Sequence, residues 1–275
     1  MELHLRSRGS GENGTLLFLH GFPFDGSVWD PQMAALPDGW QGLAPDLRGF
    51  GRSPLGAAEL PSGRRLGAGV ALADEAVLTM DALADDAAQL LEDHAAGPAV
   101  VCGLSMGGYV AFALRRRRPA LVRGLILMDT QPGPDGDEAR ENRRRTAASA
   151  RESGPAPVAM AMLPSLLSRG TRERSPEVAE TVRRMMEATA PRTLIAALAG
   201  MAARADSTGD LPAIDVPTLI IVGAHDTITP PDQARAMADG IPGARLEVVA
   251  DAAHLPGLEA PAVVNGLIAD FLATL

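Results

Sequence analysis

The chain has 275 residues, 46% of them hydrophobic, and a formal net charge of −9, so it can bury a full core, and disorder is excluded. Its acidity, relieved only by the runs Arg115 to Arg118 and Arg143 to Arg145, argues against a polyanion partner, and both runs read as solvated helix surface. All 25 basic residues are Arg; without Lys there is no Schiff-base chemistry, no pyridoxal phosphate site and no Walker A loop.

In chain order, short apolar strands are predicted at Glu2 to Leu5, Leu16 to Leu19, Gly42 to Pro45, Ala99 to Cys102, Gly124 to Met128, Thr218 to Val222 and Leu246 to Val249. Most are continuous apolar runs, as parallel strands covered on both faces require. Helices are predicted at Thr79 to Ala95 with Thr79 as N-cap, Met106 to Arg117, Pro231 to Ala238 and Pro261 to Leu275. This alternation is that of an open α/β sheet. It breaks between Gln131 and Asp210, where four helical segments follow one another: Asp137 to Glu152, Ala156 to Ser168, Pro176 to Ala190 and Arg192 to Arg204, with Ser175 and Pro176 as a cap and first turn. The expected organisation is an α/β core formed by 1–130 and 211–275, with an all-helical lid, 131–210, inserted between sheet strands. Leu55 to Val77, rich in Gly and Ala, is expected to be a surface loop.

The single Cys102 rules out an internal disulfide, MELHLRSRGSGENG lacks the apolar stretch of an export signal, and no run approaches the ~18 apolar residues of a membrane span. A cytoplasmic location without a membrane partner is the expectation. The sequence says nothing of oligomeric state.

The chemistry begins at VVCGLSMGGYV, Val100 to Val110. Gly103-Leu104-Ser105-Met106-Gly107 follows an apolar strand and opens a helix, the setting of a nucleophile elbow. Glycines flank Ser105 because a Cβ on its close neighbours would collide with adjoining backbone. A GxSxG match alone is weak in a chain with 29 glycines; the strand before it and the helix after it carry the reading.

A serine at its free pKa needs a base, itself oriented by a carboxylate. Of five histidines, His254 in DAAHLPGLEAP lies after the last predicted strand and before the last helix, at the carboxyl edge where Ser105 emerges. His225 is its rival, but it adjoins the favoured acid. That acid is Asp226 in GAHDTITP, preferred to Asp129, which closes LILMD and reads as a structural turn residue. Two backbone donors are expected to face a developing oxyanion: the N–H of Met106, and the N–H of Phe22 in His20-Gly21-Phe22-Pro23. No metal is expected, since one Cys and five scattered His make a poor ligand set.

HGFP, PDLRGFGRS (Pro45 to Ser53), GLSMGG, GAHDTITP and DAAHLPGLEAP stand in an order that resembles the α/β-hydrolase superfamily, in its lidded branch of small soluble enzymes. VVCGLSMGG and WDPQMAAL (Trp29 to Leu36) are also similar to enol-lactonases of aromatic catabolism and to cofactor-free haloperoxidases. The resemblance implies a mostly parallel sheet flanked by helices, the order Ser105, Asp226, His254, and no cofactor. Serine at 105 sets the chain apart from family members that use an aspartate nucleophile.

The sequence therefore points to a serine hydrolase cleaving a carboxylic ester or lactone of a small to medium apolar substrate. A perhydrolase or haloperoxidase, a carbon–carbon bond hydrolase, and a non-catalytic ligand-binding protein stay open as alternatives. Met160, Met162, Leu163, Leu166, Leu167, Met185, Met186 and Met201 give the lid a flexible apolar set suited to such a substrate or to packing on the core.

Overall fold

A computed structural model describes residues 2–56 and 77–275. Alternating short apolar runs and amphipathic segments fold into β1 (Leu5–Arg8), β2 (Gly14–Leu19), α1 (Asp30–Ala34), β3 (Trp40–Pro45), α2 (Met80–His94), β4 (Ala99–Leu104), α3 (Met106–Arg117) and β5 (Val122–Met128). Five helices follow without a strand: α4 (Asp137–Ser153), α5 (Pro155–Leu166), α6 (Arg169–Arg174), α7 (Pro176–Ala188) and α8 (Pro191–Ala202). The sheet then resumes with β6 (Thr218–Gly223), α9 (Pro231–Gly240), β7 (Arg245–Val249), α10 (Pro256–Glu259) and α11 (Pro261–Leu272).

The strands form one sheet in the order β1-β3-β2-β4-β5-β6-β7, parallel throughout except for β1, which runs antiparallel to β3. Successive residues of each central strand serve opposite faces. Leu17, Val101, Leu125 and Ile220 pack with α2, α3 and α8, whereas Phe18, Val100, Ile126 and Leu219 pack with α1 and α11. Both faces are buried, which is why these strands read as unbroken apolar runs.

β1 lies three residues later than the apolar pattern of Glu2 to Leu5 suggests. It is an edge strand whose position is set by pairing Leu5 to Arg8 with Pro45 to Gly42, and half of it is polar and exposed. The helix expected at Ala156 to Ser168 ends at Leu166, because the Ser168 hydroxyl accepts from the Thr171 N–H and starts α6. Ser175 makes no such side-chain bond; Pro176 alone marks the start of α7. Thr79 does cap α2, its hydroxyl accepting from the Ala82 N–H. The short helices α1, α6 and α10 fall below the length at which a periodic pattern is visible. The loop expected at Leu55 to Val77 lies, for residues 57–76, outside the described residues.

Neither arginine run is merely solvated. Arg115 pairs with Asp215, Arg116 with Asp81 and Asp210, Arg117 with Asp85 and Arg118 with Glu92, which ties α3 to α2 and to the segment before β6. Arg143 and Arg204 converge on the buried Asp135. Among the described residues, no helix is long and apolar enough to cross a membrane.

The turn from β4 into α3 is where packing is tightest. A Cβ on Gly107 would lie 2.0 Å from the Leu19 carbonyl oxygen, and one on Gly103 would lie 2.4 Å from the Gly107 carbonyl oxygen. Both contacts are with backbone, which cannot step aside as a side chain can. Gly107→Ala should therefore lower unfolding free energy by about 2 to 3 kcal/mol. Gly97→Ala, with nothing within 4 Å of the added carbon, is the control and should leave the urea midpoint unchanged. Equal midpoints for the two variants would refute this account of the turn.

Candidate active site

Ser105 sits between β4 and α3 with φ 52° and ψ −112°, a left-handed backbone that costs a non-glycine residue about 1 to 3 kcal/mol. Its neighbours hold it there. The Ser105 N–H donates to the Met128 carbonyl (2.9 Å), and the Ser105 carbonyl accepts from the Thr130 hydroxyl (2.8 Å) and the Gly108 N–H (2.9 Å). Strand β5 thus braces the turn on both sides of the strained residue, and the side chain stands at the N-terminus of α3.

The loop after β2 runs against this turn. A Cβ on Gly21 would lie 3.3 Å from the Ser105 Cβ, so glycine allows the close approach. His20 fixes the loop from beneath: its Nδ1–H donates to the Gly21 carbonyl, and its Nε2 accepts from the Leu47 N–H, each at 2.9 Å. Burial pushes this imidazole below its ordinary pKa, and the two bonds specify the neutral tautomer. No acceptor among the described residues takes the N–H of Phe22 or of Met106, so both expected oxyanion donors are free.

Asp226 and His254 meet. His254 Nδ1 lies 2.8 Å from Asp226 Oδ2, and both residues are about 97% buried, at 2% and 3% exposure. The same carboxylate accepts from the N–H groups of Ile228 (2.8 Å) and Thr229 (3.1 Å) and from the Thr229 hydroxyl (2.6 Å). Burial alone would raise the Asp226 pKa, but His254, the Thr229 hydroxyl and the Ile228 N–H outweigh it and hold the carboxyl below the usual range. A charged Asp226 favours the tautomer of His254 with the proton on Nδ1, which leaves the Nε2 lone pair unprotonated. The rival His225 is exposed.

The loop carrying His254 rests on the end of β6. The His225 N–H donates to the Ala252 carbonyl (2.9 Å), and a Cβ on Gly223 would lie 1.9 Å from the Ala253 carbonyl oxygen. Ser105 leaves β4, and only β5 separates it from β6. Strands β4 and β6 are thus two strand spacings apart, about 10 Å between backbones.

Asp129 has a role that the sequence reading did not assign. It ends β5 with φ 43°, its Oδ1 accepts from the Gly223 N–H (2.9 Å), and its buried Oδ2 has no partner. Burial first, then the neighbouring Asp226 charge, pushes its pKa well above the usual carboxylate value. A neutral acid here has a proton to offer Asp226. Ligand atoms of Asp129, Asp226 and His254 lie within 4.8 Å of one another, the spacing of a metal site. The hydrogen bonds argue otherwise: four already engage Asp226.

The helices of 131–210 reach this region. The Thr189 hydroxyl donates to the Pro23 carbonyl (2.9 Å), the Ser27 hydroxyl to Met185 Sδ (3.3 Å) and the Thr193 hydroxyl to the Gly49 carbonyl (2.8 Å). Of the apolar set on these helices, Leu166, Leu167, Met185, Met186 and Met201 are buried, whereas Met160 is 73% exposed.

Asp129 supplies a pH signature. A carboxyl whose folded pKa is raised stabilises the fold below its unfolded pKa and loses that contribution as pH rises toward the folded value. Asp129→Asn removes the loss. The variant's melting temperature relative to wild type should climb as pH goes from about 4 to about 8. A difference independent of pH would mean that Asp129 is ionised in the fold.

The sequence profile of the alpha/beta hydrolase fold family matches residues 14–261. A thermophilic esterase from Thermogutta terrifontis superposes with TM-score 0.87 at 41% identity, covering 99% of this chain and 93% of that one. The enol-lactonase from Burkholderia xenovorans LB400 superposes with TM-score 0.84 at 29% identity, covering 98% and 96%. A Mycobacterium tuberculosis protein with the provisional name non-heme bromoperoxidase BpoC is 30% identical over 275 residues, 96% of each chain. With the profile spanning nine-tenths of its length and its sheet order and strand-to-helix turn in place, the chain belongs to the α/β-hydrolase family.

Proposed function

We propose that the protein is a serine hydrolase that cleaves a carboxylic ester or lactone of a small to medium apolar substrate through an acyl-enzyme. The observation that carries this is the His254–Asp226 pair at 2.8 Å, in a sheet whose strand-to-helix turn after β4 holds a serine at positive φ. The esterase and enol-lactonase names of the relatives support it.

In this reading His254 Nε2 takes the Ser105 proton as the hydroxyl oxygen attacks the substrate carbonyl. The electron pair displaced onto the carbonyl oxygen is met by the N–H groups of Phe22 and Met106 and by the positive end of α3. The imidazolium, stabilised by Asp226, protonates the departing alcohol; a water deprotonated by the same nitrogen then attacks the acyl-enzyme and releases the acid. Residues 131–210 act as the lid over a core of 1–130 and 211–275, and the ties of Thr189 and Thr193 to the loops bearing Pro23 and Gly49 support that role. A cytoplasmic location is part of the same proposal and rests on Cys102, buried and free.

A second reading, perhydrolysis of an acyl-enzyme by peroxide, is favoured by the bromoperoxidase name of the Mycobacterium relative. It shares every residue above and is separated by assay: bromide oxidation that needs peroxide and acetate would mark it.

On short p-nitrophenyl esters, Ser105→Ala should abolish turnover, and His254→Ala and Asp226→Asn should each lower kcat on the order of 10³- to 10⁴-fold. The acid position discriminates between the two aspartates, since Asp129→Asn should stay within about threefold of wild type. Activity that survives Ser105→Ala, or a larger loss at Asp129 than at Asp226, overturns the assignment.

A further inference from the structure

Glu259 ends α10, five residues after His254, and its two carboxylate oxygens face in different directions. Oε1 accepts from the Ala253 N–H at 2.7 Å, next to His254 in the chain. Oε2 accepts from the Ser168 N–H at 2.7 Å and the Thr171 hydroxyl at 2.8 Å, both in the helical segment between β5 and β6. Ser168 and Thr171 are themselves buried at 6% exposure and joined hydroxyl to hydroxyl at 3.0 Å. No arginine or histidine among the described residues pairs with Glu259, so these donors are what its charge binds.

The loop that Glu259 grips is buried, with Ala252 and Leu255 in the core and His254 on Asp226. From below it rests on Gly223, where a Cβ would strike the Ala252 and Ala253 carbonyls. From the far side the Gln32 side-chain amide donates to the Gly257 carbonyl at 2.9 Å. Between them, the Ala253 N–H is fixed by one carboxylate whose other oxygen belongs to the insertion. Shifting Ser168 and Thr171 moves the anchor of the residue beside His254.

We propose that Glu259 is a positioning residue that couples the seating of the 131–210 helices to the placement of the His254 ring. With Ser168 and Thr171 docked, the carboxylate is locked and the His254 loop is held over the end of β6. With the insertion lifted, the carboxylate gains freedom, the Ala253 N–H loses a fixed acceptor, and the base drifts from Ser105. The function that follows is a gate on reactivity: the serine is activated when the helical segment is closed. This rests on the serine hydrolase reading above.

Three variants test it. Thr171→Val keeps side-chain volume and removes one donor on the insertion side, touching nothing in the His254 loop. Glu259→Gln keeps the shape but can offer an oxygen to only one of its two sides, and Glu259→Ala removes both grips. Kinetics on p-nitrophenyl acetate should show kcat about 10- to 100-fold lower in Glu259→Ala with KM within about threefold, and partial recovery in Glu259→Gln. Hydrogen exchange read by mass spectrometry should show Thr171→Val speeding amide exchange about tenfold in both 168–174 and 250–256. Faster exchange confined to 168–174, or Glu259→Ala with a lowered melting temperature and unchanged kcat, overturns the coupling. If Glu259→Ala does not fold, Thr171→Val and Glu259→Gln decide alone. A folded wild type with no esterase activity overturns the hydrolase reading instead, while the exchange result still decides whether the two segments are linked.

Discussion

Between Leu104 and Met106 a fully buried strand must reverse into a helix that packs back on the same sheet, and the chain has room for only one path. Gly103 and Gly107 permit that path because any side chain there would meet backbone. Ser105 takes the strain, with β5 bracing it through Met128 and Thr130. Everything at the carboxyl edge is arranged around this turn. The loop of His20 and Gly21 passes against it, α3 points its positive end at it, and the strand ends that bear Asp129, Asp226 and the His254 loop are its neighbours in the sheet.

A sheet edge that gathers two buried acids and two buried histidines has to sort their charges. Converging donors hold the Asp226 pKa low, His254 Nδ1 faces Asp226, and burial and the Asp226 charge push the Asp129 pKa up. His20, buried beneath the Phe22 loop, is driven neutral. Two adjacent carboxylates with pKa values pushed in opposite directions are the expected outcome when both are buried and hydrogen-bond donors converge on only one. Such an arrangement leaves one negative charge in the cluster, placed where it orients the imidazole.

Much of this was readable in the chain. Ser105 stood out because a strand, a tight glycine turn and a helix follow in twelve residues, and Asp226 and His254 because each follows a predicted strand end in the right order. Helix α3 and the run of central strands followed from apolar patterns that burial on both faces makes unambiguous. What stayed hidden depended on contacts between distant segments. The position of β1 is set by its pairing with β3, the break between α5 and α6 by the Ser168 cap, and the raised pKa of Asp129 by burial and by a carboxylate that arrives from another strand. Thr229 and Glu259 lay within motifs already singled out, GAHDTITP and HLPGLEAP, yet only the folded arrangement assigns them to Asp226 and Ala253.

The central claim is a spatial one, that Ser105, His254 and the N–H groups of Phe22 and Met106 address a single tetrahedral centre. A crystal structure of the protein after reaction with a p-nitrophenyl phosphonate tests it most directly. The account predicts phosphorus bonded to Ser105 Oγ, its phosphoryl oxygen about 2.7 to 3.1 Å from both N–H groups, and His254 Nε2 within hydrogen-bond reach of Oγ. A folded protein that forms no adduct, or an adduct whose phosphoryl oxygen points away from Phe22 and Met106, would contradict it.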